Sequence, residues 1–126
     1  MVNHKISFKA NEVSYQEENG GDIIQIIFNE EITENQSDEL NSISKPYFSI
    51  SQDYEFSSKP TIEWFDGKDF DGGADLKGYN FTACLFEVKM SNGLLFSIEH
   101  ACSQKVFKKI DAFLKNEFPN RKLEKL

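Results

Sequence analysis

Residues Tyr79 to Phe118 read YNFTACLFEVKMSNGLLFSIEHACSQKVFKKIDAFLKNEF. The pattern is strand, tight turn, strand, helix. Phe81, Ala83 and Leu85 alternate with Thr82, Cys84 and Phe86, and Val88 and Met90 continue one face. Ser91-Asn92-Gly93 follows, and Asn-Gly is among the strongest hairpin signals because both residues tolerate positive φ. Leu94 to Ile98 returns as a second strand. Ser103 then offers an N-cap, and Val106, Phe107, Ile110, Phe113, Leu114 and Phe118 fall at helical spacing until Pro119 stops the run.

Outward from this unit, the N-terminal half reads as more strands. Ile6, Phe8 and Ala10 alternate with polar residues, and Val13 and Tyr15 continue the strand after a bend at Asn11. Asn19-Gly20-Gly21 is a second hairpin signal. Ile23 to Phe28, broken only by Gln25, reads as a central strand covered on both faces or as a short buried helix; period alone does not separate them. Glu30 to Lys45 is polar and reads as a loop with a helical turn near Ser37 to Leu40. Pro46 opens a strand in which Phe48, Ile50, Gln52 and Tyr54 share one face. Thr61 to Phe65 is another, and the Gly- and Asp-rich run from Asp66 to Asp75 reads as a flexible exposed loop.

These elements predict one α+β domain over residues 1–126. It is a mostly antiparallel, twisted sheet of six to seven strands with one C-terminal amphipathic helix packed on it. A helix over 103–118 is roughly 24 Å long, enough to cross several strands at about 4.8 Å spacing.

Hydrophobic residues make up 39% of the 126-residue chain and include 12 Phe, enough for a core, so wholesale disorder is excluded. The net charge of −7 disfavours nonspecific binding to nucleic acid or to an anionic membrane. Residues 1–78 hold 16 acids against 6 lysines, and residues 79–126 hold 5 acids against 8 Lys or Arg. Two surfaces of opposite sign are expected if the fold keeps these parts separate. No run reaches the length of a signal peptide or of a bilayer span, and two cysteines make no disulfide framework. The expected setting is cytoplasmic, with reduced thiols.

Few constellations carry chemistry. His100 and Cys102, two apart, face one way in an extended segment and fit either a thiolate–imidazole pair or a strand end tucked under the helix. A hydrolase would need a third group to orient them, and none is placed by sequence. The acidic loop misses the EF-hand pattern: from Asp66 the third and twelfth positions are Lys68 and Lys77, and from Asp69 the twelfth is Asn80. Two His and two Cys lack zinc spacing. There is no Walker loop, nucleophile elbow or dinucleotide fingerprint. No enzyme activity, cofactor or metal is expected.

What stands out is the segment from Glu63 to Asp75. Glu63, Asp66, Asp69, Asp71 and Asp75 are opposed there by Lys68 alone, with Trp64, Phe65 and Phe70 interleaved. Trp64 and Phe65 fit core packing, and aromatics ringed by charge also fit a protein interface. The expected partner-binding set is Glu63, Trp64, Asp66, Asp69, Phe70, Asp71 and Asp75. The acidic stretch from Glu30 to Glu39 is the next candidate. Trp64, Tyr47 and Tyr54 as stacking platforms for a small ligand or a carbohydrate are a further reading.

The aromatic strand Tyr47-Phe48-Ser49-Ile50-Ser51, the acidic aromatic segment Ile62-Glu63-Trp64-Phe65-Asp66 and the hairpin joining Leu85-Phe86-Glu87-Val88 to Leu94-Leu95-Phe96-Ser97-Ile98 resemble the small immunity proteins of bacterial polymorphic toxin systems, including the antidotes of contact-dependent growth inhibition. The resemblance covers residues 46–98. It implies a cytosolic protein that binds and neutralises one cognate toxin domain, with no shared catalytic residues. Toxins that cleave nucleic acid need cationic active sites, and an acidic partner occupies such a site as a substrate mimic.

Overall fold

A computed structural model describes residues 5–30, 45–57, 59–119 and 121. The Glu30–Lys45 stretch, apart from its two end residues, lies outside them. The described residues form nine strands in chain order. They are β1 (Lys5–Ala10), β2 (Glu12–Glu18), β3 (Ile23–Asn29), β4 (Tyr47–Asp53), β5 (Thr61–Phe65), β6 (Phe70–Gly72), β7 (Leu76–Phe81), β8 (Leu85–Met90) and β9 (Leu95–His100). One helix, α1 (Gln104–Glu117), follows them.

The α+β class, the dominance of antiparallel pairing and the single C-terminal helix match the sequence reading. Its six to seven strands in one sheet do not. There are two sheets, one of four strands in the order β1-β9-β8-β7 and one of five in the order β2-β3-β4-β5-β6. All pairs are antiparallel except β1 with β9, where Ile6 lies opposite Phe96. The sheets are packed face to face. Phe28 stacks on Phe86 at 4.8 Å, Phe48 meets Phe96 at 4.8 Å and Trp64 meets Phe96 at 5.2 Å. Asn11 alone separates β1 from β2, so the chain changes sheet at a corner.

The helix therefore does not cover a sheet; the second sheet does. Strict alternation leaves an apolar face on each sheet: Ile26, Phe28, Phe48, Ile50 and Ile62 on one, and Phe86, Val88, Met90, Phe96 and Ile98 on the other, all buried. A 14-residue helix of about 21 Å is too small for both. It closes one flank of the sandwich instead, between β2 and β7. Ser103 Oγ caps it by accepting from the Val106 N–H, and Ile110, Phe113 and Leu114 turn inward. Phe107 stacks on Phe81 of β7 at 4.7 Å, while Lys109 Nζ sits 5.6 Å from the Tyr15 ring of β2. Beyond the helix, Arg121 covers the free edge of β7: its carbonyl accepts from the Tyr79 N–H, and its guanidinium donates to the Leu76 carbonyl.

Three local readings are also corrected. The run from Phe81 to Met90 is not one strand. It breaks at Thr82, whose Oγ1 accepts from the Leu85 N–H at 3.1 Å and turns the chain. At Ser91-Asn92-Gly93 only Gly93 takes positive φ, 91°, whereas Asn19 and Gly20 both do, at 54° and 70°. The loop from Asp66 to Asp75 is not wholly irregular, because Phe70–Gly72 pairs with β5 as an edge strand.

Candidate functional site

The β5–β6 hairpin builds the site. Its turn is tied by Asp66, whose Oδ1 accepts from the backbone N–H groups of Lys68 and Asp69, both at 2.8 Å. Those amides, Asp69 first, hold the Asp66 carboxyl below its ordinary range. Gly67 supplies the positive φ of 104° that the turn requires. At Gly72 a side chain is excluded by space: a Cβ there would lie 2.9 Å from the Ile62 carbonyl oxygen.

Register then sorts the aromatics. Tyr47 lies opposite Phe65, and Phe65 opposite Phe70, so three rings on three adjacent strands share the outer face. Phe65 and Phe70 are 4.4 Å apart, and Tyr47 lies 6.1 and 6.2 Å from them. Phe70 is 70% exposed, and it shelters Phe65, which is 5% exposed. Burial, and then the charge of Glu63, push the Tyr47 phenol above its usual pKa. Glu63 shares the outer face with this row, and exposed Asp66, Lys68 and Asp69 form the turn beside it.

The expected partner-binding residues thus divide. Glu63 and Phe70 lie on the outer face of the hairpin, and Asp66 and Asp69 stand in its turn, where they line a groove with Trp64 and Asp71. Asp71 points to the inner side, and its Oδ1 accepts from the Gly72 N–H at 2.8 Å. Trp64 is a correction. One residue before Phe65, it faces between the sheets at 3% exposure and belongs to the core. Asp75 is exposed but sits apart, its backbone paired with the Ser91 turn. Tyr47 and Phe65 complete the patch although sequence reading left them out of the set. Strand parity is the signal that finds Phe65, since it must face opposite to Trp64.

The other candidate constellations lose their geometry. His100 is buried, with Nε2 2.9 Å from the Thr82 carbonyl and Nδ1 accepting from the Cys102 N–H. That pattern requires neutral imidazole, and burial holds its pKa down. The Cys102 thiol is pushed up by burial, the opposite of what an activated nucleophile needs. The rings of Trp64, Tyr47 and Tyr54 do not line one pocket: Trp64 is in the core, and the Tyr54 hydroxyl donates to Glu117 at 2.7 Å, which raises its pKa, after burial, to about 12. Among the described residues no three His, Cys, Asp or Glu side chains gather to hold a metal ion, and no helix is long and apolar enough to cross a membrane. No protein-family model and no curated protein matches the chain.

Proposed function

We propose that this chain is a non-catalytic immunity protein of the cytoplasm that binds and neutralises one cognate toxin domain. The docking face is the outer surface of β4, β5 and β6. The observation that carries the reading is Phe70: a ring 70% exposed, held in place by a 4.4 Å stack on Phe65, on a hairpin that also carries Glu63, Asp66, Asp69 and Asp71. A fixed aromatic anchor on an acidic hairpin combines the two properties of a tight interface with a cationic partner. The anchor slows dissociation, and the long-range charge speeds encounter. A nuclease, whose active site is cationic, is the toxin class that fits best.

The test takes the product of any large toxin gene directly upstream. Its C-terminal toxin domain is expressed in cells with and without this chain, and binding kinetics are measured at two ionic strengths. Protection and a stable complex are expected. Asp69→Lys with Asp71→Lys should slow association and flatten its salt dependence. No complex and no protection would refute immunity toward that toxin. Unchanged association at low salt in the double variant would move the contact away from this hairpin.

A further inference from the structure

The two sheets divide the strand charges between them. Strands β2 to β6 carry Glu12, Glu17, Glu18, Asp53, Glu63 and Asp71, and not one Lys or Arg. All four strand lysines lie in the other sheet, β1-β9-β8-β7. No strand of the five-stranded sheet therefore supplies a cation to its outer face.

At the β6 end this face is notched. Pairing sets Phe70 opposite Phe65 and Gly72 opposite Glu63, so these four residues share the outer side. Gly72 has no side chain and no room for one. A Cβ there would stand 3.1 Å from Glu63 Cγ, so the Glu63 stem lies over Gly72, toward the strand that carries Phe70. One side of the Phe70 ring rests on Phe65, with centroids 4.4 Å apart and planes 30° apart. The other side is open, in keeping with the ring's 70% exposure. Glu63 and Phe70 are diagonal neighbours across the pair, about 7–8 Å apart at Cα, a gap that long side chains and rings span. Glu63 is exposed, and its charge is felt at the Tyr47 phenol on the adjacent strand.

The notch thus sets a free π face beside a carboxylate. An apolar anchor seated there would desolvate Glu63 without pairing it, at a cost. A cation answers both groups, because the ring face is electronegative. A guanidinium answers them better than an ammonium. It is planar and stacks on the ring while its edge presents a fork of donors to the carboxylate, whereas the lysine head is a strongly hydrated point charge.

We propose that the partner's anchor on this face is an arginine, its guanidinium laid on the open side of Phe70 and paired at its edge by the Glu63 carboxylate above Gly72. The inference rests on the docking reading above and deepens it, from a cationic partner to one residue type.

The full chain is titrated at low salt with acetyl-Gly-Arg-Gly-amide, with the lysine peptide of the same form, and with the citrulline peptide, which keeps the shape of arginine without its charge. Binding is followed by NMR at the Phe70 ring, the Glu63 side chain and the peptide's δ protons. Saturable shifts at Phe70 and Glu63 are expected with the arginine peptide, and its δ protons should move upfield under the ring. The lysine peptide should bind at least about threefold more weakly, and the citrulline peptide should not saturate. Phe70→Leu keeps an apolar cover on Phe65 but removes the π face, and Glu63→Gln keeps the shape but removes the charge. Each should weaken the arginine peptide by about threefold or more, and added salt should weaken wild type more than Glu63→Gln. The proposal is overturned by any of three results: no saturable shift at Phe70 with tens of millimolar arginine peptide, equal binding of the lysine or citrulline peptide, or wild-type affinity in either variant with a native amide spectrum. The peptide comparison on the unaltered chain decides the matter even if a variant misfolds. The toxin is absent from this titration. Its failure removes the arginine anchor while leaving Phe70 as an apolar contact, and failure of the toxin to bind removes the immunity reading while leaving guanidinium binding as measured.

Discussion

Replacing Phe70 by alanine separates what the ring does for the fold from what it does for a partner. The side chain is 70% exposed in the free protein. A fully enclosed phenylalanine covers on the order of 200 Å², so about 60 Å² is already buried against Phe65 and Tyr47 and about 140 Å² is open. At about 25 cal/mol per Å², these areas correspond to about 1.5 kcal/mol within the domain and about 3.5 kcal/mol available to an interface. Area converts incompletely on association, but this ring is stacked before binding and loses little freedom. Phe70→Ala should therefore reduce unfolding free energy by about 1–1.5 kcal/mol. It should weaken the complex by about 2–3 kcal/mol, roughly 30- to 150-fold, mostly in the dissociation rate. Denaturant unfolding gives the first figure, and surface-immobilised toxin domain with flowing immunity protein gives the second. Phe56, at 84% exposure the barer ring, is the control: it lies in the turn after β4 and stacks on no ring among the described residues, so Phe56→Ala should leave both quantities near wild type. Dissociation within about twofold of wild type for Phe70→Ala, or an equal effect from Phe56→Ala, would refute the anchor argument.

Three further outcomes follow from the packing. Phe113, 5% exposed on the inner face of α1, should cost about 3–5 kcal/mol on truncation to alanine, whereas half-buried Phe107 should cost visibly less; equal, near-neutral effects in urea unfolding would mean the helix does not close the flank. His100 is neutral in the fold with its pKa below the ordinary value of about 6.5, so the unfolded chain binds more protons. Its contribution to stability should be complete above that value and fall away as pH drops below it, and the difference between wild type and His100→Gln should shrink from pH 7.5 to 5.5; a pH-independent difference contradicts the neutral assignment. Gly72→Ala should destabilise the hairpin because the new methyl meets the Ile62 carbonyl at 2.9 Å, and faster amide exchange at Gly73, whose N–H donates to that carbonyl, would record it.

Local chemistry alone was enough to define the β8–β9 hairpin, the Ser103 cap and the stripe of α1, because each depends on residues within one or two turns of one another. The same alternation makes β1, β4 and β5 readable, whereas the continuous apolar run of β3 fits a strand covered on both faces or a helix, and only Ile24, Ile26 and Phe28 of it are buried. It was not enough for β6. Phe70–Gly72 is three residues long with no apolar alternation of its own, and it exists as a strand only because β5 lies beside it and Asp66 folds the turn. The break at Thr82 was hidden for a similar reason: one hydroxyl accepting a backbone N–H ends β7, while the apolar pattern runs on unchanged. The parallel pairing of β1 with β9 joins residues some 90 positions apart, and nothing in either strand encodes its partner. The site divides along the same line. That the segment from Glu63 to Asp75 is acidic and aromatic is a property of composition. That Trp64 turns into the core while Phe65, Phe70 and Tyr47 form an outward row is a property of register, and register is set by which face the opposite sheet buries.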